Sequence, residues 1–358
     1  MNAPVVYFAI TNHGFGHAVR VAAVAAELKR LNPKIVLIIA TSAPRWLFES
    51  YIEGDFIHRV RSFDIGVVQS DSLHMDLDAT LEILTSLEKK QDSIIASEAS
   101  FLKTNRVSLV LGDIPPMLAL IAKAANVPCW MMSNFGWDLI YQEWGESFQA
   151  SVDWITSCYR QCDYLFRLPL HEPMSSFSSC IDVGLTGGDP RYSMSELREK
   201  FDLKQPTERT ALIIFGGLGL ESVPYNTLSN FPDWQFITFD SKAPKIDNLR
   251  FIAEHHYRPV DFMPLCSQVV SKPGYGTFAE AIRLDIPIVT IQRSDFAETP
   301  FLLEGLQDYS EHRILDNEKF FLGNWEFLEE PLDKPRLQKK LAIDGTEVIA
   351  KSILEQIT

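Results

Sequence analysis

Several things are scarce in this chain of 358 residues, and each shortage removes a class of protein. No run approaches the ~18 apolar residues that a bilayer span requires. Cysteine is rare, five in number and scattered, which excludes a disulfide scaffold and fits a reducing compartment. Cys158 and Cys162 lack the second pair of a zinc site, no other zinc or EF-hand spacing occurs, and the cysteines read as structural. Basic charge is short as well: 33 Lys and Arg stand against 47 Asp and Glu, a net charge of −14. Nucleic acid or an anionic membrane would need a basic face, so neither is expected as a partner. A nucleotide needs only a few local donors and stays open. The Walker pattern with its lysine is missing, which disfavours P-loop ATP hydrolysis. Gly14-Phe15-Gly16 does not complete the dinucleotide fingerprint, because Val19 stands where its third glycine would be. Finally, Met1-Asn2-Ala3-Pro4 leads straight into Val5–Ile10 without the basic flank and cleavage site of a signal peptide, which predicts a cytoplasmic protein.

What is present is an ordinary globular composition, 46% hydrophobic and 22% charged, long enough for two domains with a core each. Short β-rich apolar runs alternate with stretches of 3.6-residue periodicity. Residues 5–10, 35–40, 109–111 and 129–132 read as buried strands of a first domain, 1–185. Residues 183–209, rich in glycine, proline and charge, read as a linker. The alternation then restarts with strands at 211–215, 234–239, 249–252, a run ending at Val270, and 286–291, within a second domain 186–338. A terminal amphipathic helix at 339–357 is expected to pack back on the first domain. The pattern implies α/β architecture with parallel sheets, whose ligands lie at the carboxyl ends of strands.

The most informative stretch is Ser271-Lys272-Pro273-Gly274-Tyr275-Gly276-Thr277-Phe278-Ala279-Glu280, a strand, a glycine turn and the start of a helix. Gly274 and Gly276 permit positive φ and close approach of a ligand, and the first N–H groups of a helix favour an anion. Thr277 and Lys272 sit in the same turn, and Glu280 is placed to accept hydrogen bonds from a sugar's hydroxyls. The stretch thus reads as a nucleotide diphosphate site. The same Thr277-x-x-Glu280 also satisfies the capping-box pattern, which binds nothing.

Other turns carry the same logic. The first strand ends in His13-Gly14-Phe15-Gly16-His17-Ala18-Val19-Arg20, before a helix with Val21, Val24, Ala25, Leu28 and Leu31 on one face. His17, with His13 beside it, has the chemistry of a general base. It could equally cap the helix or pack under the loop. Asp113, ending another strand, could hold the His17 ring or cap the helix after Pro115-Pro116. Gly216 and Gly217 form a third glycine turn. Arg258 lies in the loop 255–258, and Arg293, Asp295 and Glu298 follow the strand at 286–291, where a donor sugar would lie or where a solvated loop would pair its own charges.

These residues resemble the GT-B glycosyltransferases, in particular the MurG family. Gly14-Phe15-Gly16-His17 is similar to its first-domain glycine turn, and Gly274–Glu280 to its second-domain phosphate and ribose element. His13–Arg20, Val68-Gln69-x-Asp71-x-Leu73, Asn134-Phe135-x-Trp137-Asp138 and Gly274–Ala281 look still more like the glycosyltransferase-like half of L-arabinokinases. So does the segment from Arg293 to Leu302. The resemblance spans nearly the whole chain. It implies two Rossmann-like domains facing a central cleft, with no metal and no bound cofactor. A nucleotide sugar, by default UDP-linked, would be the donor, and a small or lipid-linked hydroxyl compound the acceptor. Glu280 would hold the ribose, while Gly274, Gly276, Thr277 and the turn at Gly216 would hold the diphosphate. His17 would serve an inverting transfer. The family's sugar-binding pair of glutamines is not evident near Arg293–Glu298, and the kinase half has no counterpart in these residues. A non-catalytic nucleotide-sugar sensor and a nucleotide-sugar epimerase remain alternatives, and a homodimer is compatible with either.

Overall fold

The computed structural model describes residues 3–11, 13–69, 75–216, 223–293 and 296–357. They divide into two compact units, one of residues 3–69, 75–186 and 342–357 and one of 187–341.

In the first unit seven strands pair in parallel: β1 (Val5–Ile10), β2 (Val36–Ala40), β3 (Ile57–Arg59), β4 (Leu109–Asp113), β5 (Cys129–Ser133), β6 (Tyr164–Arg167) and β7 (Cys180–Asp182). Their order is β3-β2-β1-β4-β5-β6-β7, so the chain winds outward from β1 and then crosses to its other side. β1 and β4 are the central pair, with Ile10 in register with Asp113. The crossovers carry α1 (Gly16–Leu31), α2 (Arg45–Glu49), α3 (Leu77–Thr104), α4 (Met117–Ala125), α5 (Trp137–Gln142) and α6 (Gln149–Tyr159). Val6, Tyr7, Phe8, Ala9 and Ile10 are all buried, as both faces of a covered parallel strand must be.

The second unit repeats the scheme with β8 (Thr210–Ile214), β9 (Gln235–Thr238), β10 (Leu249–Phe251), β11 (Gln268–Ser271), β12 (Ile288–Ile291) and β13 (His312–Leu315), again all parallel. The order β10-β9-β8-β11-β12-β13 puts the reversal between β8 and β11. Its helices are α7 (Met194–Lys200), α8 (Pro259–Phe262), α9 (Tyr275–Arg283), α10 (Thr299–Tyr309) and α11 (Asn317–Phe321). The expected linker at 183–209 is in part helical. Ser193 accepts from the Glu196 N–H while Glu196 accepts from the Ser193 N–H, a complete capping box that starts α7.

The last helix, α12 (Gly345–Ile357), starts six residues later than its periodicity predicts and packs on α1. Two segments of the first unit cross just before it. Leu185 N–H donates to Ala342 O at 2.8 Å and Gly345 N–H to Leu185 O at 3.2 Å, which fastens 342–345 to this segment. α1 buries Ala22 and Ala23 besides the face read from sequence. All five cysteines are free thiols, and burial pushes Cys158 up to about 12. Among the described residues no helix is long and apolar enough to cross a membrane.

A Cβ on Gly345 would run into Gly184 O, a contact that backbone cannot yield cheaply. Gly345→Ala is therefore expected to cost about 1–3 kcal/mol, the range of overpacked cores. Urea unfolding followed by circular dichroism checks it, and an unchanged midpoint would mean that the crossing relaxes.

Candidate functional site

In both sheets the strand order reverses at a βα turn, and His17, Asp113, Gly216 and Gly274 lie at those two places. In the first unit β1 runs into Thr11, whose N–H bonds Asp113 O at 2.9 Å. Gly14 turns the chain with φ +62°, and a Cβ on Gly14 or Gly16 would meet nothing within 4 Å, so the turn presents bare backbone. α1 opens with no side-chain cap and no acid in its first turn. His17, one residue into it, lies 2.9 Å through Nδ1 from Asp113 Oδ1. Asp113 does not cap the following helix; α4 has Pro116 at its N-cap and no side-chain cap.

Arg20, the last residue of the stretch His13–Arg20, has a role that the sequence does not announce. Its guanidinium forks onto Asp113, Nε to Oδ2 and Nη2 to Oδ1. Nη1 donates to Asn134 Oδ1 at 2.7 Å, and Nη2 also reaches Ser133 Oγ at 3.0 Å. Asp113 is completely buried, Arg20 is 2% and His17 6% exposed. The available signal was an arginine one helical turn after His17 within an apolar run, a position that buries it. Burial acts to raise the Asp113 carboxyl. Arg20 first and His17 second more than offset this, and it titrates below the ordinary carboxylate range.

Aromatic rings wall this cluster. Trp137 stands edge-on to His13 at 5.2 Å and to Phe135 at 5.2 Å, and its Nε1 donates to Thr11 Oγ1 at 2.9 Å. Thr11 in turn donates to Asp64, and Tyr141 donates to Gly66 O at 2.5 Å. These rings are framework: Trp137 and Tyr141 are each 1% exposed.

In the second unit β8 is followed by Phe215 and Gly216, the latter with φ +80°, and β11 beside it leads to Lys272, whose Cε lies 3.6 Å from where a Gly216 Cβ would sit. Gly274 is the N-cap of α9, and Gly276 and Thr277 are in its first turn, which has neither an acid nor a side-chain cap. Two expectations need correction here. Gly274 has φ −169° and Gly276 is helical, so neither uses the left-handed region; their service is the missing side chain. The capping box does not form, because the helix starts at Tyr275 and puts Thr277 inside it.

Glu280 is buried, and its Oε1 accepts from Gly188 N–H at 3.2 Å. Arg283 supports the same segment, donating to Gly188 O at 2.8 Å. Arg258 is bound to Asp261 and, at 2.5 Å, to Asp189 O, so it fastens residues 189–191 rather than standing free in a loop. Beyond β12 the Arg293 guanidinium lies 4.0 Å from the Phe296 ring centroid, and Glu298 is the N-cap of α10. Gly217 and Asp295, and Asp71 and Leu73 of the motif at 68–73, lie outside the described residues.

With this geometry the class is clear: two parallel-sheet α/β units of this order have the GT-B fold of glycosyltransferases. A UDP-glucosyltransferase from Polygonum tinctorium matches 99% of this chain with 94% of its own at TM-score 0.61 and 12% identity. Phytolacca americana UGT2, complexed with UDP-2-fluoro-glucose and pterostilbene, does so at TM-score 0.59 and 12% identity, over 99% and 94% of the two chains. A particular relative follows from sequence. L-arabinokinase from Arabidopsis thaliana is 29% identical over 363 residues, 97% of this chain but 34% of that protein. The chain therefore spans about a third of the length of the curated relative it matches. No family model matches it.

A carboxyl held below its ordinary value gives stability that is full above about pH 4 and fades as pH falls through the lowered value. Asp113→Asn is expected to cost about 3–5 kcal/mol at neutral pH, because Arg20 would be left buried with its charge uncompensated. The variant should also show a flatter acid limb in denaturation curves measured from pH 7 downward. An unaltered acid limb would remove Asp113 from the pH dependence.

Proposed function

We propose that the protein is a glycosyltransferase that moves a sugar from a nucleotide-sugar donor, UDP-linked, to a hydroxyl acceptor with inversion and without a metal. The observation that carries this is the buried pairing of His17 with Asp113 at 2.9 Å, at the β1/β4 reversal. An imidazole anchored at Nδ1 to a carboxylate has Nε2 available to accept a proton. The acceptor O–H gives its proton to Nε2 while its oxygen bonds the anomeric carbon. The bond from that carbon to the diphosphate breaks, its electron pair leaving on the diphosphate. One displacement inverts the centre, and Asp113 steadies the imidazolium that results.

The second unit supplies the donor site in this reading. The first turn of α9 and the backbone at Gly216 favour the leaving diphosphate, and Lys272 adds a positive charge beside them. The compared structures support the donor class, since one is a UDP-glucosyltransferase and another is complexed with UDP-2-fluoro-glucose. A second reading has its own observation. The match to a third of an L-arabinokinase, a protein named for phosphorylation, suits a module that holds a nucleotide sugar without transferring it.

A thermal-shift panel of UDP, GDP, ADP, dTDP and CDP with their sugar conjugates tests the donor. A ligand at ~100 times its Kd adds about 2.7 kcal/mol to stability, and UDP forms should give the largest shift. No shift with any nucleotide would remove the donor site. His17→Ala should lower turnover by roughly 10²–10⁴-fold while donor binding stays near the original value. Tight UDP-sugar binding with no transfer to a broad acceptor set would favour the binding module.

A further inference from the structure

Three atoms that can accept a proton converge on one nitrogen, and one of them, the His17 Nδ1, does so only in one tautomer. Arg20 Nη2 lies 2.5 Å from Asp113 Oδ1, 3.0 Å from Ser133 Oγ and 3.0 Å from His17 Nδ1. It carries two protons, so at most two of the three can receive one. Asp113 Oδ1, nearest and charged, takes the first. The destination of the second fixes the state of the imidazole. If Ser133 takes it, Nδ1 keeps its own proton, donates to Asp113 Oδ1 at 2.9 Å, and leaves the lone pair on Nε2. If His17 takes it, a bare Nδ1 faces a carboxylate oxygen and the proton sits on Nε2, which then accepts nothing.

We propose that Ser133 and Arg20 are positioning residues that select the tautomer of His17, keeping its proton on Nδ1 and its lone pair on Nε2. The geometry favours that choice over its rival. It avoids the repulsion of a lone pair against a carboxylate at 2.9 Å. Phe135 N–H, 3.3 Å away, also donates to Ser133 Oγ and holds that oxygen as an acceptor. Asn134 Oδ1, at 2.7 Å from Nη1, holds the guanidinium on the side away from Asp113, with Nη2 kept within reach of Ser133 Oγ. Ser133 is completely buried at the end of β5, with no solvent to replace its oxygen. The inference rests on the base role proposed for His17, but the tautomer itself belongs to the free protein and can be read without any substrate.

The experiment uses the full chain with ¹⁵N-labelled histidine, at about pH 8.5, some two units above the ordinary imidazole value. The ring signals of His17 are identified by their loss in His17→Gln. Arg20→Met strips a buried carboxylate of its countercharge and is expected to unfold, so the informative change is Ser133→Ala. The original protein should show Nδ1 protonated, and Ser133→Ala should move a large fraction of His17 to the Nε2–H form. Turnover should fall about tenfold with the KM for donor unchanged, and Ser133→Thr, which keeps the oxygen, should restore both. A proton on Nε2 in the original protein, or a ring unmoved by Ser133→Ala, would overturn the proposal. A shifted ring with unchanged kcat would overturn its bearing on catalysis. If the spectra behave as expected and no donor and acceptor pair ever turns over, the tautomer assignment stands and the base role of His17 falls.

Discussion

A carboxylate with no exposed surface must be neutralised where it stands, and in the first unit Asp113 imposes that demand on everything around it. Arg20 meets it from α1, Ser133 and Asn134 fix Arg20 from the end of β5, and His17 takes the edge of the carboxylate that remains. The residues come from the ends of β4 and β5 and from the start of α1, so the cluster ties three consecutive parts of the sheet edge together. A pair that is costly to bury and unremarkable for stability is well suited to fixing a direction in space, and here the direction is that of an imidazole.

The two units show one solution at different charge. Each sheet reverses beside a glycine turn that leads into an uncapped helix. In the first, the turn is followed by a histidine backed by a buried acid; in the second, the turn lies beside Lys272 and an N-terminus without an acid. One edge sets an imidazole against a buried carboxylate, and the other sets a lysine beside an uncapped helix N-terminus.

Much of this was legible in the residues. β1, β4, β5, β8 and β11 are apolar and covered on both faces, and apolar runs announce them. β3 reads Ile-His-Arg and β7 Cys-Ile-Asp; as short edge strands with one wet side they have no such run, and neither was predicted. β13, His312–Leu315, was missed for the same reason, and β6 because four residues are too few to show a period. The strand ends marked His17 and Asp113 as neighbours at one edge. The apolar run around Arg20 marks it as buried, but its fork onto Asp113 was not legible, because the partner comes from a strand 93 residues away. Nor was the use of Glu280 and Arg258 to hold residues 187–191, since those contacts join positions about 70 to 92 residues apart.

The crossing of 184–185 with 342–345 has a consequence for how the chain comes to be folded. The first unit is interrupted: its sheet is complete in sequence by Asp182, yet α12, which covers α1, follows some 160 residues later. During synthesis the whole second unit emerges while the outer side of α1 is still bare. The side of α1 that packs on α12 is then open to water, or to another chain, until α12 arrives. The segment that closes the crossing is thus the last to leave the ribosome among those the first unit needs. An arrest or cut between the two units would strand a nearly complete sheet with an exposed alanine-rich helix, a species prone to association.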